Sequence, residues 1–202
     1  MTESKPHRLL IIKALLATLG VTAIVIATIA IWQWSLVANY RGQLLRLRNE
    51  GVADAYYNAT DEQYVIELDE LPYRQVAEQI VAPRGLLPGF VPKLDIRGFD
   101  VADITALSGV MGNVQQLELK GAITKAKELE ALLTHFPNIA FIQTGEIAWS
   151  SDLETILVEF DRPLTIIAVT KNSSDEKLPN SIGTKVYIQW FYRNAESLPT
   201  SR

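Results

Sequence analysis

Apolar side chains follow three successive patterns along this chain. From residue 14 to residue 40 they are nearly continuous, as Ala, Ile, Leu, Val, Thr and Trp with no charged residue. A helix rises about 1.5 Å per residue, so roughly 25 such residues cross a hydrocarbon core of about 30 Å. The pattern predicts a transmembrane helix over 14–40, preceded by a basic arm over 1–13. Helical spacing of Leu36, Tyr40, Leu44 and Leu47 then extends the helix through a juxtamembrane stretch, 41–51, which Gly51 ends.

The second pattern covers 52–90 and reads as a mixed α and β lead-in. Strand formers occupy 52–57 and 64–68, separated by the polar run 58–62. Residues 71–81 read as a helix, with Pro72 near its start and Pro83 just past its end. Three prolines and two glycines between 83 and 92 mark an irregular connection.

In the third pattern the chain repeats. Apolar residues fill first, fourth and sixth positions as Val91, Leu94, Ile96, then Val114, Leu117, Leu119, then Ile139, Ile142, Thr144, then Leu164, Ile167, Val169. The period is about 23 to 25 residues, within the range of a strand-plus-helix unit. A fifth unit begins near Tyr187, with Trp190 and Tyr192 at the same offsets, and a polar tail follows over 194–202. Between the strands, Asp100 precedes a predicted helix over 101–111 and Thr124 one over 125–136. Ser151 with Glu154 forms a capping-box pattern before 153–160. The fourth connection, 170–184, is polar and interrupted by Pro179.

Charge sharpens this division. Up to Asn49 there are six Lys or Arg against one Glu, about +5, whereas the rest carries thirteen against twenty-two acids, about −9. An acidic domain repels nucleic acid phosphates, so nucleic acid is not an expected partner. The absence of cysteine excludes disulfides and thiol chemistry. Lys5, Arg8 and Lys13 precede the span, and Trp32, Trp34 and Tyr40 gather at its far end, the pattern of a retained anchor rather than a cleaved signal. The short basic arm favours a cytoplasmic N-terminus and an extracytoplasmic domain, although Arg41, Arg46 and Arg48 on the far side balance it. Gly20, Ala23, Ala27 and Ala30 recur at helical spacing and form a candidate face for a homodimer within the bilayer, or an ordinary alanine-rich span.

The repeating units resemble leucine-rich repeats, most clearly in the run 113–121 (Asn-Val-Gln-Gln-Leu-Glu-Leu-Lys-Gly) and in 137–142. The order of arm, span, lead-in and short repeats is similar to bacterial single-span proteins of that family. The resemblance implies an α/β fold: a strand–helix solenoid over 91–193 with a parallel sheet, used for binding partners rather than for catalysis. Phe99, Ala122 and Ile147 stand where the family places an Asn or Cys, which leaves a compact α/β domain with right-handed crossovers as the alternative.

Stacked in register, the repeats would set Asp95 and Arg97 beside Glu118 and Lys120, and these beside Phe141 and Gln143. That polar patch, with Phe141 as its anchor, is the candidate protein-binding surface; the alternative is a solvated face of compensating ion pairs. No catalytic set can be assembled and no cofactor or metal is expected. His7 lies in the arm, and His135 at a helix end where a positive charge would suit the terminal carbonyls. The acidic group Asp61, Glu62, Glu67, Asp69 and Glu70 lacks the spacing of a calcium loop, although a metal-assisted hydrolase is the weaker alternative it leaves open. A self-associating structural protein without a separate ligand is the other.

Overall fold

A computed structural model describes residues 5–68, 72–106, 109–170 and 178–192. The first element, α1 (Lys5–Asn49), is one unbroken helix, long and apolar enough to cross a membrane. It stops where the sequence places the stop. Gly51 adopts the left-handed conformation at φ +67°, its N–H bonds the Arg48 carbonyl, and Val52 N–H bonds the Leu47 carbonyl. This Schellman arrangement uses the carbonyls that a helix end leaves free, and Arg46 and Arg48 oppose the dipole in the last turn.

From residue 12 to residue 32 every α1 side chain is exposed, whereas beyond that point Gln33, Val37, Tyr40, Leu44 and Leu47 are buried along one stripe. The stripe packs with Ala55, Tyr64, Ile66, Val76 and Ile80 in one hydrophobic core that runs the length of the domain. The last turns of α1, beyond residue 33, are thus part of the folded unit.

The strands are β1 (Asp54–Asn58), β2 (Gln63–Glu67), β3 (Lys93–Asp100), β4 (Val114–Lys120), β5 (Ala122–Ile123), β6 (Phe141–Ile147), β7 (Leu164–Thr170), β8 (Ser181–Ile182) and β9 (Val186–Tyr192). They form one open sheet in the order β1-β2-β3-β4-β6-β7-β9-β8, with β5 pairing β6. All pairings are parallel except β1 with β2 and β8 with β9 at the two edges. The helices α2 (Tyr73–Ile80), α3 (Ala126–His135) and α4 (Ser151–Glu159) lie between strands in sequence. Each parallel strand adds on the same side of the last, and right-handed crossovers wound one way carry their helices to one face. The core agrees. Ile96, Leu117, Ile142, Ile166 and Ile188 form one partner row across five strands, buried with Leu129, Leu132, Phe136, Leu153 and Leu157 of α3 and α4.

A second set of contacts ties each unit to the one before it, at the N-terminal ends of the strands. Asn113 donates to the Pro92 carbonyl, Asn138 to Gly112, Arg162 to Pro137 and Lys185 to Asp161, across separations of 21, 26, 25 and 24 residues. These bonds repeat with the period of the units.

Several expected boundaries shift. Between β3 and β4 the expected helix over 101–111 shrinks to a 3₁₀ segment, Val101–Ala106, among the described residues. Helix α4 is capped by Ser150 rather than Ser151, its hydroxyl accepting from Leu153 N–H. At α3 the Glu128 carboxylate accepts from the backbone of both Thr124 and Lys125, satisfying donors that the helix leaves free. The antiparallel edge strand β8 was not expected, and residues 171–177 of the fourth connection lie outside the described residues.

Burial of the α1 stripe generates a direct test. Leu44→Ala removes a fully buried side chain from the core and is expected to destabilise the solubilised full-length protein by about 2–5 kcal/mol in denaturant unfolding. Leu45→Ala, at an exposed position on the next residue, should stay within about 0.5 kcal/mol.

Candidate functional site

No described helix covers the other face of the sheet, and its composition changes from one end to the other. On β2 and β3, Arg97 lies between two carboxylates: its Nε donates to Asp95 Oδ2 at 3.0 Å and its Nη1 lies 3.7 Å from Glu67 Oε1. Tyr56 Oη donates to the same Glu67 oxygen at 3.0 Å and accepts from Arg97 at 3.4 Å. This network lies beside Val65, which is fully buried although it belongs to the face without helices. Asp95 is buried too, and burial raises its pKa against the opposing pull of the Arg97 hydrogen bond and charge.

The sequence-based register fails at β3. Asp95 pairs with Gln116 and not Glu118, and Lys120 pairs with Asp100 and not Arg97. Register shifts fall between Leu94 and Asp95 and again between Ile96 and Phe99, the second spanning Gly98 at φ +73°. A glycine in that region accommodates the extra residue of a bulge. The expected like-charge neighbours therefore never meet. The patch divides: Asp95 and Arg97 join Glu67 and Tyr56, while Glu118 stands beside Gln143, and Phe141 beside Gln116.

A second correction adds to the face. In the fourth unit the buried residues are Leu164, Ile166 and Ala168, so Ile167 and Val169, expected in the core, point the opposite way. In the fifth, Val186, Ile188 and Trp190 are buried, which turns Tyr187 and Phe191 outward. Phe141, Thr165 and Tyr187 form one row, Gln143, Ile167 and Gln189 the next, and Val169 with Phe191 a third. Tyr187 and Phe191 are each about half exposed, at 52% and 48%. The result is an aromatic and aliphatic patch on β6, β7 and β9, flanked by amides and separated from the charged network of β1–β3 by β4, which presents Gln116 and Glu118.

His135 differs from its expected role. It is buried rather than displayed at the helix end, with Nδ1 2.9 Å from the Gly109 carbonyl and Nε2 3.1 Å from Tyr73 Oη. A proton on Nδ1 and an acceptor at Nε2 satisfy both contacts with a neutral ring. Burial lowers its pKa below the ordinary 6.5, opposed by the Gly109 carbonyl. Edge contacts with Tyr73 and Phe136 complete an aromatic group at the α2–α3 junction.

Of the acidic group, Glu67 is engaged by Tyr56 and Arg97, and Asp61 accepts from Asn58; Asp69 and Glu70 lie outside the described residues. Among the described residues no three His, Cys, Asp or Glu side chains are placed to hold a metal. A cavity of about 520 Å³ lies at the N-terminal ends of β3 and β4, lined by Leu86, Val91, Lys93, Met111, Asn113 and Asn138 among others. Gly20, Ala23, Ala27 and Ala30 all lie on the exposed stretch of α1, with open space around Gly20.

In comparisons with protein-family models, curated proteins and solved structures, nothing matches this chain. Function must be read from its own surfaces.

The His135 environment sets a pH dependence. Because the folded state disfavours the protonated ring, its stabilising contribution is complete above the ordinary histidine pKa and declines as pH falls below about 6.5. His135→Gln should be less stable than wild type by about 1–3 kcal/mol at pH 7.5, from lost buried hydrogen bonding. The difference in unfolding free energy should narrow by pH 5. A gap that stays constant or widens on acidification would count against the neutral buried ring.

Proposed function

We propose that this protein is a single-pass, membrane-anchored binding module of leucine-rich-repeat-like strand–helix units, non-catalytic, whose helix-free sheet face receives a protein partner. The observation that carries this reading is the outward cluster of large apolar side chains. A sheet face that served only to meet water would alternate apolar-in and polar-out throughout. Instead Phe141, Ile167, Val169, Tyr187 and Phe191 cluster on β6, β7 and β9, one strand removed from the Arg97 network, with aromatic groups of the kind that dominate interface energetics. The fitting partner presents an apolar surface rimmed by hydrogen-bonding groups that match Gln143 and Gln189. The short basic arm ahead of the span supports a cytoplasmic N-terminus and an extracytoplasmic domain, against the balancing Arg41, Arg46 and Arg48 beyond it.

Site-specific photo-cross-linking in native membranes tests the surface. A photoreactive side chain at Gln143 or Gln189 should give a discrete adduct, and one at Val158, exposed on the helix layer, should give none. Tyr187→Ala and Phe191→Ala should each weaken that complex by about 2 kcal/mol, roughly 30-fold in Kd. Adducts from Val158 alone, or an adduct at Gln143 that both substitutions leave unchanged, would overturn the reading. Sidedness is tested separately in the cysteine-free chain. A Val158→Cys variant should react with an impermeant maleimide in intact cells, after outer-membrane permeabilisation where such a membrane exists; reaction only after lysis would place the domain in the cytoplasm.

A further inference from the structure

The connection over 83–92 is bonded to α1 where that helix ceases to be exposed. Gln33 reaches it with both ends of its amide: Nε2 donates to the Gly85 carbonyl at 2.8 Å, and Oε1 accepts from Leu87 N–H at 2.9 Å. One turn of helix thus carries a buried glutamine, bonded at both ends of its amide, within a run that is uncharged and strongly apolar. Gly85 lies so near the Trp32 ring that an added Cβ would come within 3.1 Å of it. On the other side, Phe90 and Trp34 line one shallow depression with Val37 and Arg41. The connection therefore brackets α1 at residues 32–34.

Its own side chains are unusual for a water-facing loop. Leu87 and Phe90 are about half exposed, at 48% and 52%, and Val81 beside them is exposed as well. Trp32 and Trp34 are exposed at the same level of α1. Below this level lie about 20 uniformly exposed residues, roughly 30 Å of helix, the thickness of a hydrocarbon core. Arg84, Lys93 and Arg41 are exposed cations, and Arg41 and Lys93 line the same depression as Trp34 and Phe90, together with Glu62.

We propose that the connection over 83–92 is a second membrane contact, seating Leu87 and Phe90 in the lipid interface beside Trp32 and Trp34, with Arg84, Lys93 and Arg41 directed to anionic head groups. This rests on the reading that α1 spans the bilayer, and it goes further: the domain lies against the membrane instead of standing away on a stalk. Tryptophans concentrate at the membrane interface, where amphipathic rings and partly wetted backbone are both accommodated. Gln33 bears on the same point. An unpaired amide at that depth would carry a desolvation penalty, and the connection supplies both of its partners. Holding one segment at residue 33 and anchoring it in lipid also fixes how the sheet face is turned toward the membrane plane.

The experiment uses the full chain in vesicles of phosphatidylcholine and phosphatidylglycerol. Single cysteines at Leu19, Leu87, Phe90 and Val158 are labelled with an environment-sensitive nitrobenzoxadiazole dye and quenched by lipids spin-labelled near the head group or deep in the acyl chain. The expected result is quenching at Leu87 and Phe90 chiefly by the shallow label, quenching at Leu19 chiefly by the deep label, and little from either at Val158. Quenching at Leu19 with Leu87 and Phe90 behaving like Val158 would overturn the second contact and leave the span intact. No quenching at Leu19 would overturn the span and with it this inference. Replacing phosphatidylglycerol by phosphatidylcholine alone should reduce the shallow quenching at Leu87 and Phe90; unchanged quenching would remove the cationic contribution.

Discussion

Beyond residue 33, the structure depends on how α1 changes surroundings part-way along a single helix. Between residues 14 and 32 it exposes apolar side chains on every side, which water does not favour, and its last turns bury one stripe in a protein core. Gln33 marks the changeover, its amide paired with the backbone of the connection over 83–92. Tyr40 continues the tie, donating to the Ile80 carbonyl and accepting from Asn113, so that the helix, α2 and the start of β4 meet at one hydroxyl. Leu44 and Leu47 then close the core over β1 and β2. No flexible linker separates the apolar helix from the domain, because the helix is part of the domain.

A second constraint is the one-way winding of the sheet. Strands added always on the same side place α2, α3 and α4 in one layer, and the opposite face must be stabilised by its own side chains. The chain does this in two ways. Near β2 and β3, Arg97 folds onto Asp95 and toward Glu67 and Tyr56, and the polar network flanks a buried valine. Near β7 and β9 the same face carries Tyr187 and Phe191, which no described element covers. The antiparallel strands β1 and β8 flank the two ends of the parallel array, β1 along five residues of β2 and β8 along two of β9.

Much of this architecture could be read from residue pattern. The long apolar run, the helix stop at Gly51, the β1–β2 turn, the prolines framing α2 and the parallel strands all follow from local rules. Among the features that did not, three bear on the candidate site and the core, and each has a physical cause. The β3–β4 register, irregular beside Asp95 and again around Gly98, sets Asp95 against Gln116, two positions short of the repeat-based partner Glu118, and such a shift reassigns every neighbour across the strand pair. In the fourth unit the run Leu164-Thr165-Ile166-Ile167-Ala168-Val169 is apolar on both faces after its first two residues, so alternation could not say which side was core; the repeat pattern selected Ile167 and Val169, and packing selected Ile166 and Ala168. The burial of Asp95 and His135 arises from partners distant in sequence or from the fold of the sheet, which local pattern does not reveal. Of the candidate site, its location on the strands was legible, whereas its apolar half emerged only from the register.

A distance measurement between the two ends of α1's world bears most directly on this account. Spin labels at Leu19→Cys, on the exposed apolar stretch, and Val158→Cys, on the surface of α4, would be measured by pulsed electron paramagnetic resonance with the full chain in lipid nanodiscs. A helix continuous from the bilayer into the domain core predicts one narrow distance distribution. A broad distribution, with Leu44 and the other stripe residues still protected from hydrogen exchange, would show that α1 bends freely near Gln33 and would contradict the rigid junction from which the rest is derived.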